Sequence, residues 1–296
     1  MNIPASYDYI NYINSNRNPS AYHVSNNVLF NYFERRLLKK AISSIVFENI
    51  PENWDLNFFQ YILFICGYVA VIETDKFGVI PQDGFLGGFN VQYQPTFITI
   101  ANPKLKGIVR PIIHEECEII KLQPDYRGVM DLVDIYASKL ALASESADMN
   151  LWASKLAYVF FTDKKAGANA FKKLFDKIMN GEVAVVQDSA LLRDDGTPAW
   201  DTFTQNLSQN YIVDRILDDM RKLENQFSTE IGIPNVSDKK ERLVVDEANK
   251  KDLETQINID LWLDNINESL KRVNKMFNLN ITARKRFDSK EVISNG

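Results

Sequence analysis

Gly232-Ile-Pro-Asn-Val-Ser-Asp-Lys-Lys-Glu-Arg-Leu-Val-Val-Asp-Glu247 is the stretch on which the fold turns, because it breaks two long helical patterns with a polar, cationic segment. Gly232-Ile-Pro234 is stop chemistry: glycine takes the left-handed turn after a helix, and proline lacks the amide hydrogen that a continuing helix needs. Ahead of it, Phe203, Leu207, Tyr211, Ile212, Ile216, Met220, Leu223 and Phe227 recur every three to four residues. That period predicts a helix over 202–231, about 40 Å long at 1.5 Å per residue. Behind it, Leu253, Ile257, Leu261, Ile266, Leu270, Val273 and Phe277 predict another helix, and a strand-like Leu279 to Phe287 completes the segment 249–296. The segment 232–248 is too polar for a core and sets Lys239, Lys240 and Arg242 against Asp238 and Glu241. A single such loop reads as a solvated turn, whereas a ring of copies would gather many cations about one axis.

Working back toward the N-terminus, 163–201 reads as a small mixed unit. It has a helix through Phe171, Leu174, Phe175 and Ile178, a strand Val183 to Val186, and a polar loop Arg193 to Pro198. Residues 129–162 hold no Gly or Pro, and their apolar stripe from Leu132 to Val159 predicts a helix of about 50 Å. The span 49–128 reads as a short helix capped by Asp55 and released by Gly67, followed by β-rich sequence to Leu122. Tyr68–Ile72 and Phe97–Ile100 are its clearest strands. Val28, Leu29, Tyr32, Leu38, Ile42, Ile45 and Val46 predict an amphipathic helix over 25–48. Residues 1–24 are rich in Asn, Ser and Tyr without an apolar period and read as an arm ordered by a partner.

The composition bounds the function. The chain has 296 residues, 45% hydrophobic and 25% charged, enough for one large or two modest folded domains. Thirty-four Lys and Arg against 39 Asp and Glu give a net charge of −5, which argues against a protein that coats nucleic acid with a basic surface. Cys66 and Cys117, the two cysteines, match no disulfide framework or metal spacing and fit a reducing compartment. The apolar run Tyr61 to Ile72, broken by Gly67, is far short of the roughly twenty residues that cross a bilayer, and the N-terminus lacks a signal peptide's basic start and apolar core. No membrane is expected, and the chain is expected to stay in the cytoplasm where it is made.

Most catalytic chemistry has no support in the residues. With His23 and His114 as the whole histidine complement, His114-Glu115-Glu116-Cys117-Glu118 has Glu118 where a zincin helix needs its second His, so no metal is expected. Glu115, Glu116 and Glu118 read as a solvated acidic face. Gly84-Phe-Leu-Gly-Gly88 lacks the ending of a phosphate loop and the spacing of a dinucleotide turn, and no nucleophile elbow occurs, so no cofactor and no catalytic residue is expected.

At this point four separated pieces, in order, resemble the upper collar, or portal (head-tail connector), proteins of small short-tailed Picovirinae-type bacteriophages. They are Phe47-Glu-Asn-Ile-Pro51 leading to Cys66-Gly-Tyr-Val69, Tyr211-Ile-Val-Asp-Arg215, the Gly232 to Glu247 segment, and Phe277-Asn-Leu-Asn-Ile281 before a terminal basic strand. The resemblance spans roughly 28–288. It implies an α+β, mainly α fold: the phage portal fold with long stem helices (25–48, 129–162, 202–231), a β-rich wing (49–128) and a small α/β clip (163–201). The channel loop would be 232–248, and the C-terminal helix and strand would lie at the wide end.

The resemblance further implies a virion protein at one capsid vertex, a homododecamer through which double-stranded DNA is packaged and ejected. Its partners would be the packaging ATPase, the major capsid protein and the lower collar or tail proteins, and it would have no catalytic site. Lys239 and Lys240, with Arg242, match the family's channel loop and are the expected DNA contacts. Asp214, Asp218 and Asp219 are candidates for an acidic channel lining, with pairing to Arg215, Arg221 and Lys222 as the equal alternative. The best-known relative engages a packaging RNA through a basic N-terminal cluster, but residues 1–16 here hold no Lys or Arg, which puts such an RNA in doubt. Two other readings stay open on the residues: a non-viral helical scaffold or adaptor, and a metal-dependent DNA-processing enzyme built on Glu115 to Glu118.

Overall fold

The computed structural model describes residues 27–105, 107–155, 158–162, 169, 172–173, 200–204, 211–233 and 245–286. The chain divides into two compact units, one made of 1–142 and 220–296 and the other of 143–219.

In the first unit the central strand is β2 (Tyr68–Thr74), paired antiparallel with β3 (Gly78–Gln82) on one side and β6 (Cys117–Lys121) on the other. Successive side chains of a strand point to opposite faces, and here both faces are covered. Val69 and Val71 join the main core, while Ala70 and Ile72 join a smaller cluster with Ile98, Ile100, Ile113, Cys117 and Ile119. A strand buried on both faces reads as an unbroken apolar run, which is why Tyr61 to Ile72 looks uniform in sequence although it crosses from helix to strand at Gly67. β4 (Phe85–Gly87) and β5 (Phe97–Thr99) form a separate antiparallel pair.

The helix before β2, α2 (Leu56–Cys66), has the expected ends. Asp55 accepts from the amides of Asn57 and Phe58, and Gly67 takes the left-handed conformation with its amide bonded to Leu63 O at 3.0 Å. A Cβ on Gly67 would lie 2.1 Å from the carbonyl carbon of Arg127, so two backbone segments cross at a distance only glycine allows.

Helix α1 (Asn27–Ile42) is shorter than the predicted 25–48. The Ser43 and Ser44 hydroxyls fold back onto the carbonyls of Lys40 and Ala41, each at 2.7 Å, and the chain leaves the helix there. Ile45–Glu48 is instead β1, paired antiparallel with β9 (Thr282–Lys285) from the far end of the sequence. Its buried Ile45 and Phe47 alternate with Val46 and Glu48, a period of two that the spacing Ile42, Ile45, Val46 disguised as a helical one. Arg284 donates to Glu48 at 2.6 Å across this pair.

Helix α3 (Met130–Lys155) is likewise shorter than the predicted 129–162. Tyr158–Thr162 forms β7, antiparallel to β8 (Trp200–Thr204), so an aromatic and β-branched run that looked like a helix end is a strand once its partner is in place. The same pairing removes Phe203 from the predicted helix 202–231. The observed α4 (Val213–Glu230) has 18 residues, about 27 Å rather than about 40 Å. In the second unit Asn150 Oδ1 accepts from the Ile212 amide at 3.0 Å, just ahead of this helix. Of the predicted helix at Phe171–Ile178 only 172–173, in a helical conformation, are described, and the predicted strand at Val183–Val186 and loop at Arg193–Pro198 lie outside the described residues.

Helix α5 (Val245–Phe277) has 33 residues and begins inside the predicted loop 232–248. It packs on β6 and β9 within the first unit, where Phe64, Trp262, Ile266, Leu270, Val273 and Ile281 join the main core. Asn267 and Asn274, two turns apart on α5, each bond both ways with backbone: Asn267 with Ala283 at 3.1 and 3.2 Å, Asn274 with Ile281 at 2.8 and 2.9 Å. Two side-chain amides thus act as a substitute strand for the chain entering β9, pairing both the amide and the carbonyl of Ile281 and of Ala283. No helix among the described residues is long and apolar enough to cross a membrane.

Candidate functional site

The chain that leads toward Lys239, Lys240 and Arg242 leaves α4 from a well-anchored stalk. At the end of α4, Gly232 N bonds Thr229 O at 3.1 Å and Ile233 N bonds Ser228 O at 2.8 Å, the paired bonds of a Schellman stop, with Gly232 at φ 75°. Ile231 is fully buried, and a Cβ added to Gly232 would come within 2.5 Å of Ile259 Cβ and Cγ2. Asn258 donates to Glu230 O at 3.2 Å from the same turn of α5. The glycine read in the sequence as a helix stop therefore has a second task, the close seating of α4 on α5.

Polar contacts fix the other sides of this stalk. Arg36 donates to Glu224 at 3.0 Å, Lys40 Nζ donates to the buried Ser228 hydroxyl, and the Tyr136 hydroxyl donates to Glu230 Oε1. Burial lowers the Lys40 ammonium's pKa, an effect opposed by the carboxylate of Glu224 and reinforced by Arg36. The Tyr136 phenol is pushed far above its ordinary value, first by burial and then by its bond to the Glu230 carboxylate, so it remains a donor. None of Arg36, Lys40, Tyr136 or Ser228 carried a sequence signal for this role, because each belongs to a different or distant stretch of chain.

Lys239, Lys240 and Arg242 themselves lie outside the described residues; the structure places Ile233 before them and Val245, the first residue of α5, after them. Asp214, Asp218 and Asp219 are exposed on the first turns of α4, in the second unit. Asp214 and Asp218, four residues apart, share a helix face, and Asp219 falls on the next one beside Arg215. Neither Asp218, Asp219, Arg221 nor Lys222 is without a partner.

The acidic cluster at His114 to Glu118 departs from the expected solvated face. Glu115 and Glu116 are exposed, but Glu118 is buried in β6, with its two oxygens 3.0 and 3.1 Å from His114 Nδ1 and Oε2 3.5 Å from Arg272 Nε. Arg272 also donates to Glu268 at 2.8 Å. The cause is the strand: Glu118 stands where β6 meets α5, so it must be paired, and Arg272 supplies the opposite charge. Cys117, next to it, has its thiol pushed up to about 12 by burial, then by Glu118 and Glu116, which keeps it protonated. Among the described residues no group of three His, Cys, Asp or Glu is arranged to hold a metal ion.

Against known proteins, residues 6–290 match the family model described as Phage Connector (GP10). A solved structure titled "Portal and tail of native bacteriophage P68" is similar at 17% identity, covering 99% of this chain and 95% of that one, with a TM-score of 0.47. An HK97 family phage portal protein from Corynebacterium diphtheriae is similar at 8% identity, covering 92% and 99%, with a TM-score of 0.39. With TM-scores below 0.5, neither likeness adds weight to the family match.

Proposed function

This chain belongs to the phage connector family, and on that premise we propose that it assembles into a homododecameric ring at one capsid vertex, around a channel for double-stranded DNA. It is a head-tail connector, or portal, protein of a bacteriophage, a component of the virion with a part in capsid and tail assembly and in DNA passage. The family is structural rather than enzymatic. One observation carries the reading: the family match runs over nearly the whole chain, which favours it over the scaffold and DNA-processing alternatives.

In this reading α1, α3 and α4 are the stem, at about 24, 39 and 27 Å by their residue counts. The β-rich part around β2 to β6 is the wing, and 163–201 is the clip, which faces the packaging ATPase or the lower collar and tail proteins. The wide end meets the major capsid protein. The absence of Lys and Arg from residues 1–16 favours a motor contact through protein alone. Synthesis takes place in the host cytoplasm, before incorporation into the virion.

The mechanism is electrostatic and steric. Duplex DNA carries a charge about every 1.7 Å, so a uniformly basic tunnel would hold it fast. A chain of net charge −5, with Asp214, Asp218 and Asp219 toward the channel, lets DNA slide, while rings of Lys239 and Lys240 with Arg242 damp the repulsion. Lysine suits this because it is a mobile, hydrated point charge without the bidentate phosphate grip of arginine. Negative-stain electron microscopy of the purified full chain at moderate salt, with light scattering for particle mass, tests the ring. Twelvefold particles with a hole near the width of duplex DNA are expected, and a compact monomer at every concentration would overturn it.

A further inference from the structure

Helix α1 sorts its four cations between two faces. Arg36 and Lys40 turn to α4, where they meet Glu224 and Ser228. Arg35 and Lys39, one position earlier in each case, are exposed and have no acidic partner among the described residues. They continue a line of exposed residues at four, three and four positions, Val28, Tyr32, Arg35 and Lys39, with Val28 78% and Tyr32 54% exposed. That line is apolar in its N-terminal half and cationic in its C-terminal half.

A second line in the other compact unit has the opposite charge. In α3, Glu145, Asp148, Met149 and Trp152 lie three, four and seven positions from the first and so share one face. Met149 is 68% and Trp152 67% exposed. Leu142, three positions before Glu145 on the same face and 63% exposed, puts apolar surface on both sides of the acidic pair. Single exposed apolar residues need no explanation, but two large ones abutting two charges of one sign, opposite a matching set, have the make-up of a contact surface.

We infer that these two lines are the mating faces of neighbouring copies: α1 of one copy lies along α3 of the next, with Arg35 and Lys39 against Glu145 and Asp148, and Val28 and Tyr32 against the apolar residues beside that acidic pair. The two faces differ, so the contact is head-to-tail, the kind that closes into a ring when the rotation permits. The inference rests on the ring reading above and names the surface that builds it; the occupant is a second copy of this chain because the chain itself supplies both complementary sets.

Charge exchange in the full-length protein tests it, with assembly followed by light scattering and microscopy. The double variant R35E/K39E and the double variant E145K/D148K are each expected to raise the concentration for half-assembly at least about tenfold, the effect of facing like charges. Combining all four changes is expected to bring assembly back to within about threefold of the original, since the signs again match. All four are exposed or half-buried, and an unchanged thermal melt of each variant separates lost assembly from lost folding. Ring formation by either double variant as readily as by the original protein, or no recovery on combination, overturns the pairing while leaving the ring. Variants that form rings but fail to join capsids assign the face to the capsid shell and also overturn it. An original protein that never assembles overturns the ring reading itself. A cysteine at Tyr32 is expected to cross-link between copies with one at Met149, in an antiparallel contact, or with one at Leu142, in a parallel one, and cross-linking with neither overturns the pairing.

Discussion

Gly232 touches Ile259 so closely that a single added methyl would lie 2.5 Å from the isoleucine's Cβ and Cγ2. The contact joins the end of α4 to α5, at a residue that also holds φ 75°. Two separate requirements therefore fall on one position, a left-handed backbone and the absence of a side chain.

Gly232→Ala is expected to destabilise the first unit by about 2 to 4 kcal/mol, the sum of backbone strain and a steric clash against a core residue. Urea unfolding followed by circular dichroism would measure it. Adding Ile259→Ala removes the Cγ2 and Cδ1 contacts but keeps the Cβ, so it should relieve the clash in part and the strain not at all, at the expense of a cavity. A double variant no more stable than the sum of the two single losses predicts would show that the contact is not the limiting one.

Arg272→Met leaves Glu118 buried beside only His114, and a loss of about 3 kcal/mol is expected, as for an uncompensated buried charge. Changing both partners, Glu118→Leu with Arg272→Met, should recover most of it, because no charge is then left inside. Chemical denaturation of the two variants beside the original protein distinguishes a charge effect from a loss of packing, for which the double change would be the worse.

Alkaline pH should weaken the fold partly through Tyr136. Its phenol is raised in the folded chain by burial and by Glu230, so the unfolded chain releases that proton at lower pH than the folded one. The stabilisation is present in full below about pH 10 and is lost as pH rises beyond it. Tyr136→Phe is expected to cost about 1.5 to 3 kcal/mol at neutral pH, the worth of a bond to a charged group, and to flatten the decline in urea midpoint between pH 9 and 11. Equal slopes for the two proteins would assign the alkaline loss to other tyrosines, such as Tyr68 and Tyr126, whose values are also raised.

Lys239→Ala with Lys240→Ala is expected to leave ring assembly intact and to change DNA retention after filling. Packaged DNA protected from nuclease in an assembly reaction is the readout. Normal packaging and normal retention in the double variant would remove these lysines from the proposed role.

Several features were legible in the sequence because they depend on residues close together in the chain. Asp55 and Gly67 bracket α2 through local hydrogen bonds and a local φ, and Gly232-Ile-Pro234 ends α4 in the same way. The four ordered motifs, spread over most of the chain, pointed to the family that the match over 6–290 then gave. Composition alone separated an acidic protein from one that coats DNA.

What lay beyond the sequence needed partners from far along the chain. Ile45–Glu48 is a strand because Thr282–Lys285 lies beside it, and Tyr158–Thr162 because Trp200–Thr204 does; without those partners their spacing imitates a helix. Glu118 looked like one more surface acid until β6 brought it against α5 and Arg272. Local conformation is fixed by sterics and hydrogen bonds within a few residues, so sequence by itself determined the caps, the turns and the helical cores. Strand pairing and the burial of a charge are decided by the tertiary structure, since their energy comes from groups that meet only when distant segments fold together.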